Sequence, residues 1–330
     1  MAMKQKMRGS ELIIGKRGEL YHINISRKDG VPPRTLVTGD PQRVRDIAKF
    51  FDKCGKIDGE RSNREYLTVW GNYKGKQVAV MGTGIGTDNI EIALLELHAV
   101  HEYDPEQDKW EEPPEKMRII RFGTSGSPQK DIVLGMLGIG EHAIGLDNTG
   151  ITYLHMPADK YTSVRQTRFT PGNKTADDIL ASVDSEMDLK IIPIVIPYVS
   201  TATPSVVRAL INVAQRLGAP YETGIITSAS GFFGNQGRQI GRASNILIPN
   251  LQKMLATINV QTEDGRTIRT VANEMESSAL FRIAGEILGY EVATVCSVIA
   301  NRAEGEFISL ETYQQSFQNG VKVALEALVE

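Results

Sequence analysis

Cysteine is scarce in this chain. The 330 residues include only two cysteines, Cys54 and Cys296, which lie far apart and form no Cys-x-x-Cys pair. Disulfide frameworks and cysteine-rich zinc sites need more cysteines at closer spacing. The sequence therefore argues against a disulfide-stabilised fold and against a zinc knuckle.

A basic excess and a long apolar run are also absent. The 37 lysines and arginines face 40 acidic residues, so the net charge is −3. Non-specific binding to nucleic acid needs positive charge, and no apolar run approaches the roughly 20 residues of a membrane span. The N-terminus lacks the apolar core of a signal peptide. We expect a cytoplasmic protein that binds neither nucleic acid nor membrane, with a flexible extension at 1–20 and one domain at 21–330.

The chain does contain an alternation of β-rich and helical segments. TLVTGD at 35–40 predicts a buried strand, and PQRVRDIAKFFD at 41–52 predicts a helix with proline in its first turn. The alternation continues to the C-terminus and predicts an α/β fold: a single domain with a central mixed β-sheet flanked by helices. The segments 103–117 and 157–190 are polar and aperiodic, so we expect a surface insert and a mobile excursion.

Two short loops combine glycine with arginine. They are GDPQR at 39–43 and RFGTSG at 121–126, and the second adds two hydroxyl groups. Exposed backbone amides and guanidinium groups together bind phosphate in many proteins. Ordinary turns with solvated arginines would give the same pattern. Arg121 favours the phosphate hypothesis, because it ends an apolar strand beside Phe122, where an unpaired charge is unfavourable.

The run GTGIGT at 82–87 matches a dinucleotide-binding fingerprint only in part. Its glycines follow the spacing G-x-G-x-G and not G-x-G-x-x-G. About 20 residues on, where that fold needs an acid for the ribose, the sequence has a Pro/Glu-rich insert. We therefore interpret this run as a tight strand–helix junction near a subunit contact, and not as a nicotinamide site.

The acidic run NEMES at 273–277 opens a predicted helix. Glu274 and Glu276 are two residues apart and so do not share a helix face, which argues against a paired general acid and base. One carboxylate can instead accept both hydrogen bonds of a vicinal diol, such as that of ribose. An acid that complements the helix dipole is the structural alternative.

Seven motifs, taken in order, give the chain a resemblance to a known family. They are GDPQR, NREY, GTGIG, RFGTSG, QGR, NEMESS and IANR. Together they resemble the nucleoside phosphorylase family, uridine phosphorylase branch, from about His22 to the C-terminal helix. The resemblance implies a nucleoside phosphorylase-like domain and the reversible phosphorolysis of uridine to uracil and ribose 1-phosphate in pyrimidine salvage. It implies inorganic phosphate as co-substrate and no organic cofactor.

The resemblance also implies residue roles. Phosphate would be bound by Gly39, Arg43, Arg64, Arg121 and Thr124. Ribose would be bound by His22, Met275 and Glu276, and the base by Phe232, Gln236, Arg238 and Arg302. Catalysis by positioning and charge stabilisation would rest on Arg121, Thr124, Glu276 and Arg238. Because His22 and Arg64 would act from the neighbouring subunit, we predict a homo-oligomer, at least a homodimer.

The base-binding residues separate the possible functions. Purine phosphorylases of the family place an aspartate after a serine, and here Val298 follows Ser297. The resemblance thus favours a pyrimidine base, read by Gln236 and Arg238. A purine nucleoside phosphorylase, a nucleosidase of the same fold and a non-catalytic nucleoside-binding protein remain the alternatives.

The resemblance further implies a cation at the subunit interface, either potassium or calcium. Glu65, Ile85 and Asn89 match family positions that hold one, and Asp88 adds a carboxylate that would favour calcium. An interface without a cation, in which Glu65 pairs with an arginine, is the alternative. The two inserts lengthen the chain and can block a hexamer while leaving the dimer.

Overall fold

The structure is a computed structural model that describes residues 9–111, 116–155, 164–186 and 196–330. Its strands are β1 (Arg34–Thr38), β2 (Ile57–Asn63), β3 (Tyr66–Tyr73), β4 (Lys76–Gly82), β5 (Tyr103–Asp104), β6 (Lys109–Trp110), β7 (Arg118–Ser127), β8 (Leu137–Leu146), β9 (Tyr198–Thr201), β10 (Tyr221–Ala229), β11 (Asn259–Gln261), β12 (Thr267–Glu274), β13 (Glu291–Asn301) and β14 (Glu306–Phe307). Its helices are α1 (Pro41–Ala48), α2 (Asp52–Gly55), α3 (Thr87–Glu102), α4 (Lys174–Glu186), α5 (Pro204–Leu217), α6 (Leu251–Thr257), α7 (Ser277–Ala279), a π-helix that continues α7 (Leu280–Ile287), and α8 (Leu310–Val329). None of the helices in these ranges is long and apolar enough to cross a membrane.

Twelve of the strands form one mixed sheet, whose main order is β11-β12-β10-β8-β13-β7-β1-β4-β3-β2. Strand β1 runs parallel to both of its neighbours, β4 and β7, whereas β8 and β13 pair with each other in the antiparallel direction. Strand β12 also meets β7 where Asn273 faces Gly126, so the strands from β12 to β7 close into a ring. The prediction of a single α/β domain with a mixed sheet and flanking helices is confirmed.

The local sequence explains the elements that lead to the ring. Pro41 begins α1, and the Asp40 side chain accepts a hydrogen bond from the backbone N–H of Gln42 at 2.8 Å, as a helix cap does. Strands β3 and β4 form a hairpin around Lys74 and Gly75, both at positive φ, as a tight two-residue hairpin turn requires. The helix predicted at 41–52 is confirmed for Pro41–Ala48.

Helix α8 packs behind the strand that carries Arg121. A Cβ atom added to Gly320 would lie 2.2 Å from the ring of Phe122, so only glycine allows this close approach. Phe122 is fully buried and also contacts Phe317 edge-on, with 5.5 Å between ring centroids. The helix thereby fixes the position of β7 and of the side chains at its carboxyl end.

The prediction of an aperiodic excursion at 157–190 is wrong for part of that segment. Residues 156–163 and 187–195 lie outside the described ranges, but 174–186 forms α4. Its buried apolar residues recur at the i, i+3, i+4 and i+7 spacing of an amphipathic helix and are Ala176, Ile179, Leu180 and Val183. Polar residues on the other face of α4 concealed this period in the sequence.

Two further predictions concern segments that are described only in part. Within the extension predicted at 1–20, Ile14 bridges to Leu20, and Leu20 is 4% exposed. Within the insert predicted at 103–117, β5 pairs with β6, and residues 112–115 lie outside the described ranges. The flexibility of the extension and the domain boundary stay predictions.

Candidate functional site

A cleft opens at the ends of β1, β7, β12 and β13, and the loop after β10 covers one side. Its volume is about 310 Å³, within the usual range for small-molecule sites. Nine of the residues predicted to bind phosphate, ribose or base line it: Gly39, Arg43, Arg121, Thr124, Phe232, Gln236, Arg238, Met275 and Glu276. The fold thus brings segments that are distant in sequence into one cavity. The prediction of a loop at 121–126 is wrong, because these residues continue β7, which pairs with β13 as far as Ser127.

Arg121 is almost fully buried in this cleft. Its Nη1 atom lies 3.0 Å from Oε2 of Glu274, and its Nη2 atom forms an ion pair with Oε2 of Glu276. Nη1 also donates to the sulfur of Cys296 at 3.3 Å. A buried guanidinium without compensation would be strongly unfavourable. The protein's own carboxylates supply that compensation, which the sequence did not predict.

Glu274 anchors the turn that follows β12. Its carboxylate accepts hydrogen bonds from the backbone N–H groups of Glu276, at 2.9 Å, and Ser277, at 3.0 Å. The hydroxyl of Ser228 donates to the same carboxylate. The prediction that the whole run 273–277 opens a helix is therefore wrong. Glu274 ends the strand, and α7 begins only at Ser277.

Burial and neighbouring charges shift the pKa values of Arg121 and of the two glutamates. Burial opposes the charge on Arg121, but Glu276 and Glu274 overcome it and raise the arginine's pKa above its usual value. Burial also acts to raise the pKa of Glu274, yet Arg121 and several hydrogen bonds outweigh it and lower that pKa. For Glu276 burial dominates and raises the pKa to about 7, with Arg121 acting in the opposite direction. The pKa of Glu274 is thus lowered and that of Glu276 raised, although both carboxylates pair with the same guanidinium.

Arg43 lies in the first turn of α1, just after β1, and its environment differs from that of Arg121. Its Nη1 atom donates to the hydroxyl of Thr38 at 3.2 Å, and among the described residues no carboxylate pairs with it. Next to it, a Cβ atom on Gly39 would lie 3.1 Å from the carbonyl oxygen of Gly84, so the backbone here is tightly packed. The charge of Arg43 is therefore available to an anion in the cleft.

The base side of the cleft carries two arginines that lack a carboxylate partner among the described residues. The guanidinium of Arg238 lies 3.8 Å from the ring centroid of Phe232, and its Nη2 atom donates to Oε1 of Gln236 at 3.4 Å. Burial and then the charge of Arg302 lower the pKa of Arg238 to about 10. Arg302 lies just behind the cleft, close to Gly126, and does not line it. The Arg238 guanidinium therefore occupies one face of the Phe232 ring.

His22 and Arg64 lie outside the cleft but close to each other. The side-chain nitrogen Nδ2 of Asn63 donates to the backbone carbonyl oxygens of Tyr21 and His22, each at 3.0 Å. Arg64 donates to the Tyr21 hydroxyl at 2.9 Å and lies over its ring. The two residues predicted to act on a neighbouring subunit thus share one surface of this chain.

Three of the four residues predicted to hold a cation, Ile85, Asp88 and Asn89, lie together at the start of α3. The side-chain nitrogen of Asn89 donates to the carbonyl oxygen of Ile85 at 3.0 Å, and the Thr149 hydroxyl donates to Asp88. Glu65 is exposed. Within the described residues, no group of three His, Cys, Asp or Glu side chains is placed to hold a metal. An ion shared with a second subunit stays a prediction.

The geometry of this cleft agrees with a match of the whole domain to a known family. The sequence profile of the Phosphorylase superfamily matches residues 33–330. The chain belongs to the Phosphorylase superfamily. The resemblance to nucleoside phosphorylases that the seven motifs indicated is thereby confirmed.

Individual members of the superfamily resemble the chain over most of its length. A uridine phosphorylase of Thermococcus kodakarensis is 28% identical over 305 residues, which is 92% of this chain and 86% of the relative. A DeoD-type purine nucleoside phosphorylase of Thermoanaerobacter is 26% identical over 305 residues, with 92% and 98% covered. A Trypanosoma brucei nucleoside phosphorylase, whose crystal structure is described as showing uridine phosphorylase activity, superposes with a TM-score of 0.85 at 31% identity. That superposition covers 96% of this chain and 99% of that structure.

The strand that would carry the purine-binding acid has no acid at the cleft. Val298 packs away from the cleft against Ile226 and Val271, whereas Ile299 and Ala300 line it. The shift in register between Val298 and Ala300 turns these side chains toward the cavity. The cleft face of this strand is thus apolar.

Several residues of the cleft had no predicted role. These are Asp40, Ser125, Gly126, Asn273, Glu274, Ile299, Ala300 and Phe307. Ile85, which was predicted only for the cation, also lines the cleft. Most of them stand inside motifs that the sequence singled out, so their proximity to the predicted residues was the available signal. Phe307 had no such signal, because it reaches the cleft through the short pairing of β14 with β13.

Proposed function

We propose that this protein is a uridine phosphorylase that reversibly converts uridine and phosphate to uracil and ribose 1-phosphate. One observation carries the proposal: a single cleft joins Arg43, Arg121 and Thr124 to the amide and guanidinium of Gln236 and Arg238. The first group suits an anion, and the second suits an uncharged base rich in carbonyl oxygens. A hydrolase would have no use for the first group.

In the proposed reaction, phosphate held by Arg43 and Thr124 attacks C1′ of the ribose directly. The bond to the base breaks, and the ribose passes through a state with cationic character that the phosphate charge stabilises. Glu276 accepts hydrogen bonds from the ribose diol, since a carboxylate has about four acceptor positions and Arg121 and Gly86 use only part of them. No covalent intermediate with the protein is needed.

The base leaves as a uracil anion whose charge spreads onto its carbonyl oxygens. Donors already placed at those oxygens lower the barrier, because they stabilise charge that develops only during the reaction. Arg238 and Gln236 are these donors, and Arg302 behind them adds positive potential. The apolar cleft face at Ile299 supports a pyrimidine over a purine, whose departure benefits from an acid at N7. The names of the T. kodakarensis and T. brucei proteins support the same assignment.

We infer that the active form is at least a homodimer. The shared surface of His22 and Arg64, away from the cleft of their own chain, supports the prediction that they complete a partner's site. A mixing experiment tests it. Arg64→Ala and Arg121→Leu proteins are each expected to be nearly inactive, and subunit exchange should restore activity, because one site of the mixed dimer has both arginines. Failure of every mixture to regain activity would contradict the shared site.

An interface cation held by Glu65, Ile85, Asp88 and Asn89 is part of the same proposal. Chelation of divalent ions together with dialysis into potassium-free buffer should then lower the midpoint of thermal unfolding, and calcium or potassium should restore it. An unchanged midpoint, with no metal detected in the purified protein by elemental analysis, would remove the cation from the proposal.

The reaction class is tested by following base release from uridine and from inosine, each with and without phosphate. The proposal predicts release from uridine only, and only with phosphate. Release from uridine without phosphate would indicate a nucleosidase. Release from inosine alone would indicate a purine nucleoside phosphorylase, and binding of uridine without turnover would indicate a nucleoside-binding protein.

A further inference from the structure

The guanidinium of Arg121 lies directly against the backbone of Gly123, two residues further along β7. A Cβ atom added to Gly123 would lie 2.2 Å from Nη1 of Arg121 and 2.7 Å from its Cζ. Non-bonded heavy atoms pack best at about 3.5–4.0 Å, so no side chain can begin there while the guanidinium keeps its place. Gly123 is buried and its φ is not positive, so the backbone itself does not require glycine. The glycine is therefore required by the arginine.

Cys296 stands beside the same guanidinium on the neighbouring strand. It is the register partner of Gly123 in the pairing of β13 with β7, and it is fully buried. Its Sγ atom accepts a hydrogen bond from Nη1 of Arg121 at 3.3 Å. Burial raises the pKa of the Cys296 thiol to about 12, so near neutral pH the sulfur is an uncharged acceptor. It contacts the arginine without adding a further negative charge that would repel an anion.

These contacts leave part of the guanidinium for a ligand. A guanidinium carries five N–H groups, and the contacts with Cys296, Glu274 and Glu276 use at most three of them. Arg121 also lines the cleft. We propose that Gly123 and Cys296 are positioning residues that form a cradle for Arg121 and fix its remaining N–H groups toward phosphate. The inference rests on the proposed function for the identity of the anion.

The cradle acts on the position of Arg121 and not on the course of the chain. The atoms that a methyl group at position 123 would meet are the far end of the arginine side chain, and no backbone atom is among them. Gly123→Ala should therefore push the guanidinium away from Sγ of Cys296 and from Glu274. A displaced donor costs binding energy even when the charge is kept, because preorganised hydrogen bonds depend on geometry. Neither Gly123 nor Cys296 had been assigned a role by the sequence motifs.

The test is equilibrium binding of inorganic phosphate by calorimetry without nucleoside, so that no turnover is needed. Gly123→Ala should weaken phosphate binding at least about tenfold, the value of one hydrogen bond to a charged group. Cys296→Val, which removes the acceptor, should weaken it about threefold, whereas Cys296→Ser keeps an acceptor and should retain most of the affinity. In steady-state kinetics the KM for phosphate should rise by the same factors, with the KM for uridine changing less than about twofold.

Gly59 offers a matched control on β2, at the edge of the sheet. A Cβ atom there would lie 2.1 Å from the ring of Trp70, and the φ of Gly59 is not positive either. Gly59→Ala should leave phosphate binding unchanged, even where the midpoint of thermal unfolding falls as far as in Gly123→Ala.

The inference is overturned if Gly123→Ala binds phosphate as tightly as the unaltered protein, or if Gly59→Ala weakens binding as much. Cys296 loses its part in the cradle if Cys296→Val binds phosphate as tightly as Cys296→Ser. Uridine turnover is measured separately on the same proteins. Turnover by the unaltered protein with no effect of Gly123→Ala on phosphate binding overturns this inference alone. Weakened phosphate binding in Gly123→Ala, with no turnover by the unaltered protein, overturns the proposed reaction alone.

Discussion

Two arginines of the cleft are held in opposite ways. Arg121 is enclosed by the carboxylates of Glu274 and Glu276 and by Cys296, and it is 5% exposed. Arg238 has no carboxylate partner in the described structure and rests on the ring of Phe232. The first arginine is part of the charge balance of the core, whereas the second is a partly desolvated cation on a loop.

This difference separates the Arg121 side of the site, which is built by folding, from the Arg238 side, which awaits a ligand. Residues around Arg121 are joined to β7, β12 and β13 by buried hydrogen bonds and ion pairs, so this side keeps its geometry without substrate. Around Arg238, burial and the charge of Arg302 both act to lower the pKa of the guanidinium, to about 10. We therefore expect changes at Arg121 to affect stability and activity together, and changes at Arg238 to affect mainly activity.

The largest effect is expected from Arg121→Leu. It leaves two buried carboxylates without their cation, and breaking a buried pair in this way lowers the free energy of unfolding by about 3–5 kcal/mol. Uridine phosphorolysis should fall by roughly a thousandfold, since a charged group at the reacting centre is lost. Urea unfolding and steady-state kinetics provide the two measurements.

The control for this change is Arg118→Leu on the same strand. Its Nε atom lies 2.7 Å from Glu291, but the side chain is more exposed, and partly exposed pairs contribute about 1 kcal/mol or less. Equal destabilisation by the two substitutions would remove the special place given to the Arg121 cluster.

The next effect is expected from Arg238→Ala. The value of kcat/KM for uridine should fall by roughly a hundredfold, because a donor to the leaving base is lost. The free energy of unfolding should change by less than about 1 kcal/mol, since no ion pair is broken. A loss of stability as large as that of Arg121→Leu would abolish the contrast between the two sides.

A smaller effect is expected on how the free energy of unfolding depends on pH. Because burial raises the pKa of Glu276 to about 7 from 4.5, the folded protein binds more protons than the unfolded chain between these values. The contribution of Glu276 to the free energy of unfolding therefore falls as pH rises through that window, by on the order of 1 kcal/mol per pH unit. Glu276→Gln should remove this slope, as measured by urea unfolding from pH 5 to 8.

Glu286 provides the comparison for the pH experiment. Burial also raises its pKa to about 7, but it pairs with Arg282 and His155 away from the cleft. Glu286→Gln should flatten the stability slope in the same way and leave the pH profile of uridine turnover unchanged. A Glu276→Gln protein with the unaltered slope would show that this carboxyl does not titrate there.

The smallest effect is expected from Phe232→Leu. The substitution removes an aromatic face that is worth about 0.5–2 kcal/mol to a stacked cation. The KM for uridine should rise severalfold, with little change in the midpoint of thermal unfolding, because Phe232 is 48% exposed. An unchanged KM would indicate that the ring does not organise the base side.

The sequence predicted the parts of the site that local chemistry specifies. Gly39 and Arg43 follow β1, Arg121 and Thr124 lie within β7, and Glu274 and Glu276 stand at and just after the end of β12. Each of these pairs belongs to one contiguous motif. Each motif alone also fits an ordinary turn or a helix start, so these residues were recognisable only from the whole ordered set of motifs.

The rest depends on contacts between segments that are distant in the chain. That Glu274 and Glu276 both pair with Arg121 follows from the position of β12 across β7, which no local pattern encodes. Helix α4 was missed because its apolar residues were diluted by a polar face.

The central claim is that phosphate, and not water, cleaves the nucleoside in this cleft. Phosphorus NMR of the protein with uridine and inorganic phosphate tests it directly. The phosphate signal is expected to fall as a sugar 1-phosphate signal rises, in equal amounts and in step with uracil release. Uracil release with an unchanged phosphate signal would contradict phosphorolysis.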